Sequence, residues 1–426
     1  MALSRREFIK WASAASAASA LSATGCAGIG SGPSIGRVVV VGGGFAGATA
    51  AKYIRKWGPN IEVTLVERNP EFISCPMSNL VLGGSRGMAD ITIGYGGLSK
   101  YGVKVVQGEV TGVDAEKKSV KLANGDSLSY DRLVLAPGIE FMYEQIPGLN
   151  NAAAQERIPH AWRAGAQTVA LRKQLEAMKD GGVYAMHIPK APYRCPPGPY
   201  ERACQVASYF KAHKPKSKVL ILDANEDIVS KKGLFTKAWN DRYPGMVEYR
   251  PNRGLLDVNV ANMSLKLEVE DVKADVINVI PAQRAGKIAT DLKLANVNNR
   301  FCGVDFLTYE STAAKGIHVI GDSIQAAPLM PKSASMANQQ AKVCAAAVVA
   351  LINGQAVNDQ PMLVNTCYSF VDARDVVHVA SVHSYDAAKK TMATVAGSGG
   401  LSVAANALEG EYAWAWAKSI WADTLA

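Results

Sequence analysis

Histidine is scarce and scattered in this chain, at six in 426 residues, and no two cysteines stand in a Cys-x-x-Cys pair. Those absences leave no ligand set of the zinc type. A Cys-x-x-Cys-His motif is also missing, so the chain attaches no c-type haem of its own. The formal net charge is +9, yet no Lys/Arg-dense run with interleaved aromatics occurs, which argues against nucleic acid as a partner. The Ala-rich stretch near the N-terminus is too short and too weakly apolar for a membrane span. What remains is ordinary globular composition, 48% hydrophobic and 19% charged, with nothing to indicate disorder. At roughly 150 residues per domain the length suggests about three domains.

The N-terminus reads as an address. "SRREFIK" is followed by "WASAASAASALSATGCAG": basic residues, an apolar run, then small residues, the order of an export signal. The paired Arg5 and Arg6 resemble the twin-arginine type, which carries folded, cofactor-loaded proteins to the periplasm. Residues 1–35 are read as this signal and its linker. Cys26 follows "ATG", close to a lipoprotein acceptor site but without the usual Leu three places earlier, so a lipid anchor stays open. The signal carries net +2, leaving +7 on the remainder, a balance that favours acidic partners or anionic substrates. Beyond Cys26 lie Cys75, Cys195, Cys204, Cys302, Cys344 and Cys367, in a compartment that permits disulfides.

"RVVVVGGGFAGATAAKYIRK" opens the mature chain. The β-branched run predicts a buried parallel strand and the Ala-rich run a helix. Gly42, Gly44 and Gly47 between them form Gly-x-Gly-x-x-Gly: a tight turn, a close approach for a pyrophosphate, and close helix–strand packing. The next strand, "IEVTLVE", ends in Glu67, where an acid would bind adenosine ribose hydroxyls. Together these predict a dinucleotide site. "YDRLVLAPG" (130–138) reads as a strand into a turn, and "KGIHVIGD" (315–322) as a strand ending in Asp322. In flavoproteins of the disulfide-reductase type an acid there binds the ribityl chain of FAD. A small-residue helix from about Ser335 to Leu351 would then point its positive end at the flavin pyrimidine.

The expected fold class is α/β: two Rossmann-like nucleotide-binding domains of the glutathione-reductase type plus a smaller α+β C-terminal domain. Residues 36–150 and 290–358 would form a discontinuous FAD-binding domain, 151–289 a second Rossmann-like domain, and 359–426 a C-terminal interface domain. The second domain shows "GGVYAMHIP", a helix from Tyr200 and "KVLILD", but between the first strand and the helix stands "KAPYRCPPGPYERA" instead of glycines. Prolines remove N–H donors and fix φ, so this loop is a poor phosphate cradle and NAD(P)H is not the expected donor. The last segment begins "VNTCYSFVD", alternating as strands do, and ends "EGEYAWAWAKSIW", with Tyr412, Trp416 and Ile420 spaced by four on one helical face. That face is expected to pack on the core or a partner, with a membrane-surface foot and Trp421 beside the flavin as sharper readings.

"GGGFAGATAA", "SCPMSNLVLGG", "YRCPPGPYERAC", "HVIGD" and "NTCYS" together resemble the flavoprotein subunit of flavocytochrome c sulfide dehydrogenase, over nearly the whole mature chain. The resemblance implies FAD held covalently as an 8α-S-cysteinyl thioether at Cys75, and a redox disulfide between Cys195 and Cys367. Cys204 is a rival partner for Cys195, though its apolar neighbours, like those of Cys302 and Cys344, favour a place in the core. The resemblance implies oxidation of hydrosulfide to sulfur or polysulfide by thiolate–disulfide exchange, with electrons passing to a separate c-type, dihaem cytochrome subunit. Glu201 is the expected base, and Arg194 and Arg202 are expected to attract an anion and lower a thiol pKa. Alternatives are a sulfide:quinone oxidoreductase-like enzyme, an NAD(P)H-dependent disulfide reductase, and a flavin-bearing sulfur carrier without turnover.

Overall fold

A computed structural model describes residues 33–426. The export signal and Cys26 lie outside the described residues. The chain runs β1 (Gly36–Val41), α1 (Phe45–Trp57), β2 (Ile61–Glu67), α2 (Ser78–Gly83), β3 (Val103–Gln107) and β4 (Arg132–Leu135). It continues as β5 (Val183–Ile188), α3 (Gly198–His213), β6 (Lys218–Asp223), α4 (Lys232–Arg242), β7 (Val247–Arg250) and β8 (Val276–Val279). It then returns as β9 (Ile317–Val319) and α5 (Ala334–Ile352), and closes with β10 (Met362–Phe370), β11 (Val376–Asp386), β12 (Thr391–Thr394), β13 (Gly400–Leu401) and α6 (Ala407–Leu425).

The first sheet is parallel in the order β9–β4–β1–β2–β3. Its central strand is the valine run, with Val38, Val39, Val40 and Val41 all buried. Such unbroken burial needs cover on both faces. On one side α1 packs along α5, and both helices are rich in alanine, which allows close approach. A second parallel sheet, β7–β6–β5–β8, carries its own core around Tyr184, Met186 and Ile221. The two sheets contain the strands expected on either side of the first nucleotide fold. The short strands Ile139–Phe141 and Gln283–Ala285 pair as an antiparallel ribbon where the chain leaves and returns.

The last segment forms an antiparallel sheet in which Cys367 of β10 stands opposite Val379 of β11. The β10–β11 turn is gripped by the second unit. Gln205 of α3 donates to Phe370 O at 3.0 Å and Asp372 O at 2.8 Å. Tyr243 donates to Val371 O at 2.6 Å, and Arg242 pairs with Asp372 and with Asp375, the latter at 2.7 Å.

Helix α6 corrects one expectation. Its buried stripe is Gly410, Ala413, Ala417, Ile420 and Thr424, so of the expected row Ile420 is buried while the two aromatics are not. Tyr412 is 51% exposed, and Trp416 is half-buried beside the Tyr368 ring, 6.0 Å between centroids. Only small residues let the helix axis approach the sheet; a Cβ on Gly410 would collide with Arg374 O. Spacing by four found the row but not the phase of the helix, which turns Ile420 inward and Tyr412 outward. Among the described residues no helix is long and apolar enough to cross a membrane. Ala417→Leu should therefore lower stability by about 1–3 kcal/mol through overpacking, while Tyr412→Ala should stay within about 0.5 kcal/mol; denaturant melts of the two variants check the order.

Candidate functional site

The β1–α1 turn is built for a phosphate group. Gly42 has φ +99° and Gly47 has no room for a Cβ beside Gly42 O, so turn and helix close tightly. Gly44 is different: a Cβ there would meet nothing within 4 Å, so the backbone faces open space at the start of a 13-residue helix. Glu67 ends β2 with one oxygen accepting Gly43 N–H at 2.6 Å and the other accepting Asn69 N–H at 2.8 Å. The Asn69 side-chain amide also donates to that second oxygen at 2.6 Å, so the free lone pair for a ribose is on the oxygen that faces Gly43. Asp322 follows Gly321, whose φ is +75°, in the turn after β9, close enough to the cation of Lys332 to support it. Ser333 caps α5 by accepting Met336 N–H at 3.0 Å, two residues before the predicted start. These residues fit a flavin dinucleotide running from the glycine loop toward the N-terminus of α5.

The cysteines divide by exposure. Cys204, Cys302 and Cys344 are fully buried, whereas Cys75, Cys195 and Cys367 are half-buried. Cys75 lies in the turn before α2, its carbonyl accepting the Ser78 hydroxyl at 2.7 Å, with Met77 in the left-handed region at φ 73°. Its neighbour Ser74 accepts the Trp421 indole N–H at 3.0 Å, which brings the C-terminal helix to this turn. The Cys75 sulfur lies 4.0 Å from Trp162 O, which also accepts from the Arg194 guanidinium.

Cys195 sits at the mouth of α3 with φ 58°, its N–H donating to Lys332 O at 2.8 Å and its carbonyl accepting from Gly198 at 2.9 Å. A non-glycine residue in this region costs about 1–2 kcal/mol and persists where surroundings over-determine it. Cys367 projects from β10, its thiol 3.5 Å from Asn365 Oδ1, which also takes the Ser333 hydroxyl at 2.7 Å. Burial pushes the Cys195 thiol up, and the next influence is the charge of Cys367. The two sulfurs thus share one site, as free thiols rather than the expected bridge.

Glu201, in the first turn of α3, reaches the same site. Phe370 N–H donates to Oε1 at 2.9 Å and the Asn79 amide to Oε2 at 2.8 Å. Burial raises its pKa against those two hydrogen bonds and the charges of Lys231 and Arg202. Asn79 also donates to Gly198 O at 3.2 Å, so the Cys75 segment and the Cys195 helix are tied by one side chain.

The arginines need revision. Arg202 is 1% exposed and points inward, donating to Asn79 Oδ1, His160 O, Asn278 Oδ1 and Ala161 O. It props the site from beneath and is not displayed to an incoming anion. Arg194 keeps the expected sign of action, lowering the Cys195 thiol, but burial outweighs it and the net shift is upward. Sequence reasoning missed two lysines. Lys332, 6% exposed, donates to Asp322 O at 2.9 Å and lies 3.7 Å from the Phe301 ring centroid. Burial pulls it down to about 8. Lys231 lies under Cys367. Neither belongs to a motif, so only the fold reveals them.

In the second nucleotide fold the groups that would meet a nucleotide are otherwise engaged. Its loop N–H groups are committed: Ala191 to Asn225 Oδ1 at 2.9 Å, Arg194 to Gln283 Oε1 at 2.9 Å, and Cys195 to Lys332 O. Asp223, at the end of β6 where a ribose-binding acid would stand, is fully buried. It accepts from Tyr200 at 2.8 Å, Tyr249 at 3.1 Å and the Asn225 amide at 2.7 Å.

Three family models match this chain. Residues 168–281 match the central region of the sulfide dehydrogenase [flavocytochrome c] flavoprotein chain, and 359–425 the flavin-binding region of flavocytochrome c sulphide dehydrogenase. Residues 36–176 match pyridine nucleotide-disulphide oxidoreductase. A sulfide dehydrogenase [flavocytochrome c] flavoprotein chain from Chlorobaculum thiosulfatiphilum is 64% identical over 45 residues, 94% of that sequence and 11% of this chain. The mitochondrial sulfide:quinone oxidoreductase of Dictyostelium discoideum is 22% identical over 303 residues, 68% of this chain and 66% of its own length. Among solved structures, the sulfide:quinone oxidoreductase of Aquifex aeolicus has a TM-score of 0.70 at 18% identity, covering 91% of both chains. A putidaredoxin reductase–putidaredoxin complex has a TM-score of 0.64 at 17% identity, covering 82% of this chain and 81% of that one. The fold is therefore that of the pyridine nucleotide-disulfide oxidoreductases, and the chain belongs to the flavoprotein family of flavocytochrome c sulfide dehydrogenase.

Proposed function

We propose that this flavoprotein oxidises hydrosulfide to sulfur or polysulfide through Cys195 and Cys367 and passes the electrons to a c-type cytochrome subunit. The observation that carries the reading is the meeting of these two half-buried thiols, from distant parts of the chain, with Glu201 beside them. Oxidised, the pair would form the disulfide that hydrosulfide opens by exchange. Glu201, its pKa raised by burial, would take a proton from substrate or thiol. FAD, when bound, accepts an electron pair and can release electrons singly. Gly44 and Glu67 would hold its adenosine diphosphate half, Asp322 its ribityl chain, and Cys75 its 8α-methyl as a thioether. A covalent bond would keep the cofactor in a periplasm that does not supply it, which suits the twin-arginine address.

The committed loop N–H groups and the buried Asp223 argue against NAD(P)H as donor. A chain with no haem motif needs an external acceptor. A cytochrome, of dihaem type in the resemblance, is the reading favoured by the family; sulfide:quinone oxidoreductases are matched at lower identity.

Cys195→Ser and Cys367→Ser should each lower sulfide-dependent cytochrome c reduction by roughly a thousandfold or more while the protein keeps its flavin. Stopped-flow assays with flavin spectra decide this; full activity in either variant would refute the pair. In acid-denatured protein, mass spectrometry should find flavin on the Cys75 peptide, and Cys75→Ala should release it. Gly44→Val should leave the flavin-free chain within about 1 kcal/mol of its stability yet cut flavin content tenfold or more by filling the cradle, roughly as a glycine at this position of the fingerprint requires.

A further inference from the structure

Lys231 precedes α4 with a left-handed φ of 56° and is 5% exposed. Its ammonium donates to Cys367 O at 2.7 Å, to the Ser369 hydroxyl at 2.8 Å and to Val377 O at 3.2 Å. Three acceptors use its three protons, and none of them is a carboxylate. A buried cation bonded only to neutral acceptors is costly unless negative charge stands or forms close by. Side chains two apart on a strand share a face. Bonded to Ser369, the ammonium therefore sits on the face of β10 that carries the Cys367 sulfur.

The titratable groups that act on it come from the elements packed there: Cys367 of β10, Glu201 of α3, Cys195 of the preceding loop, and Glu409 of α6. Glu409 is occupied by His378 at 2.9 Å and Ser402 at 2.6 Å. Glu201 is occupied by Asn79 and Phe370. The two sulfurs are the groups whose charge changes during exchange, and they are not equivalent. On Cys367, burial raises the thiol and Lys231 is the largest opposing influence, followed by Asn365 and Ser333. On Cys195, burial, Cys367 and Glu201 all raise the thiol, and Arg194 and Lys231 follow as weaker opposing influences.

We propose that Lys231 is a positioning residue that polarises the cysteine pair, holding Cys367 as the thiolate that leaves when hydrosulfide attacks the sulfur of Cys195. This rests on the sulfide-oxidation reading and adds its direction. In the step, the hydrosulfide sulfur bonds to Cys195 Sγ and the Sγ–Sγ bond breaks. The electron pair of that bond stays on Cys367 Sγ beside the ammonium, and the proton remains on the outer sulfur of the new Cys195 persulfide. The disulfide is the oxidant and the substrate sulfur is oxidised. A lower leaving-group pKa speeds such exchange.

Two measurements on the flavin-loaded protein test this. In the first, the mildly reduced protein is alkylated with iodoacetamide across pH and the Cys195 and Cys367 peptides are read separately by mass spectrometry. Lys231→Met should raise the Cys367 midpoint by about one unit and slow its alkylation at pH 8 about tenfold, with a smaller shift at Cys195, while Lys231→Arg stays near the parent. An unmoved Cys367 midpoint, or a larger shift at Cys195, overturns the proposal. The second needs no variant, and so stands even if Lys231→Met does not fold. The oxidised parent protein receives one equivalent of sulfide and is trapped with iodoacetamide. The extra sulfur should lie on the Cys195 peptide. Extra sulfur on Cys367 overturns the polarity alone; extra sulfur on neither overturns the sulfide reading beneath it.

Discussion

The docking of the β10–β11 hairpin against α3 and α4 is the constraint on which the site depends. It brings Cys367 to Cys195 from far apart in the sequence, and beside the buried apolar contacts of Phe370, Val371, Val376 and Val377 it is held by a set of polar ones. Gln205, Tyr243, Arg242, Lys231 and Glu201 each bond to backbone or side chains of residues 367–377. Apolar packing alone tolerates sliding, because dispersion and hydrophobic terms have little direction. Buried hydrogen bonds with defined partners fix one register and penalise others by leaving donors unpaired. Two of the five, Lys231 and Glu201, are also charged groups that act on both sulfurs. Structure and electrostatics at this site are therefore the same set of atoms.

Much of the frame could be read from the residues. The valine run, the glycine triplet and Glu67 together leave few alternatives to a dinucleotide fold, because each residue type answers a separate geometric need there. The alternation in "VNTCYSF" marked β10, and the prolines of residues 190–199 marked a poor phosphate cradle. Helix α6 was less legible. Its aromatic row outshone the glycine and alanine stripe, since hydrophobic periodicity weighs side-chain size and a close helix–sheet contact selects for the lack of it.

The chemistry was half legible. Cysteines announce themselves by rarity and by neighbours, and the fold sorts them further by leaving three of the six among the described residues partly exposed. Arg202 had the right charge in the right motif but turns into the core, because the helix phase, not the spacing to Cys195, decides where a guanidinium points. Lys231 and Lys332 carry no signature at all. A lysine becomes chemically distinctive through burial and through what its three protons meet, and both are properties of tertiary structure.

Asp223 shows how thoroughly the second nucleotide fold has been given over to another task. Returning glycines to the loop after β5 would restore only the less difficult half of a coenzyme pocket. The carboxylate would still be walled in by Tyr200 and Tyr249, and Tyr200 belongs to the helix whose first turn carries Glu201. Freeing the acid means repacking that helix, and repacking it displaces the sulfurs. The acid and the sulfur site are thus coupled through one helix, and neither can be remodelled alone.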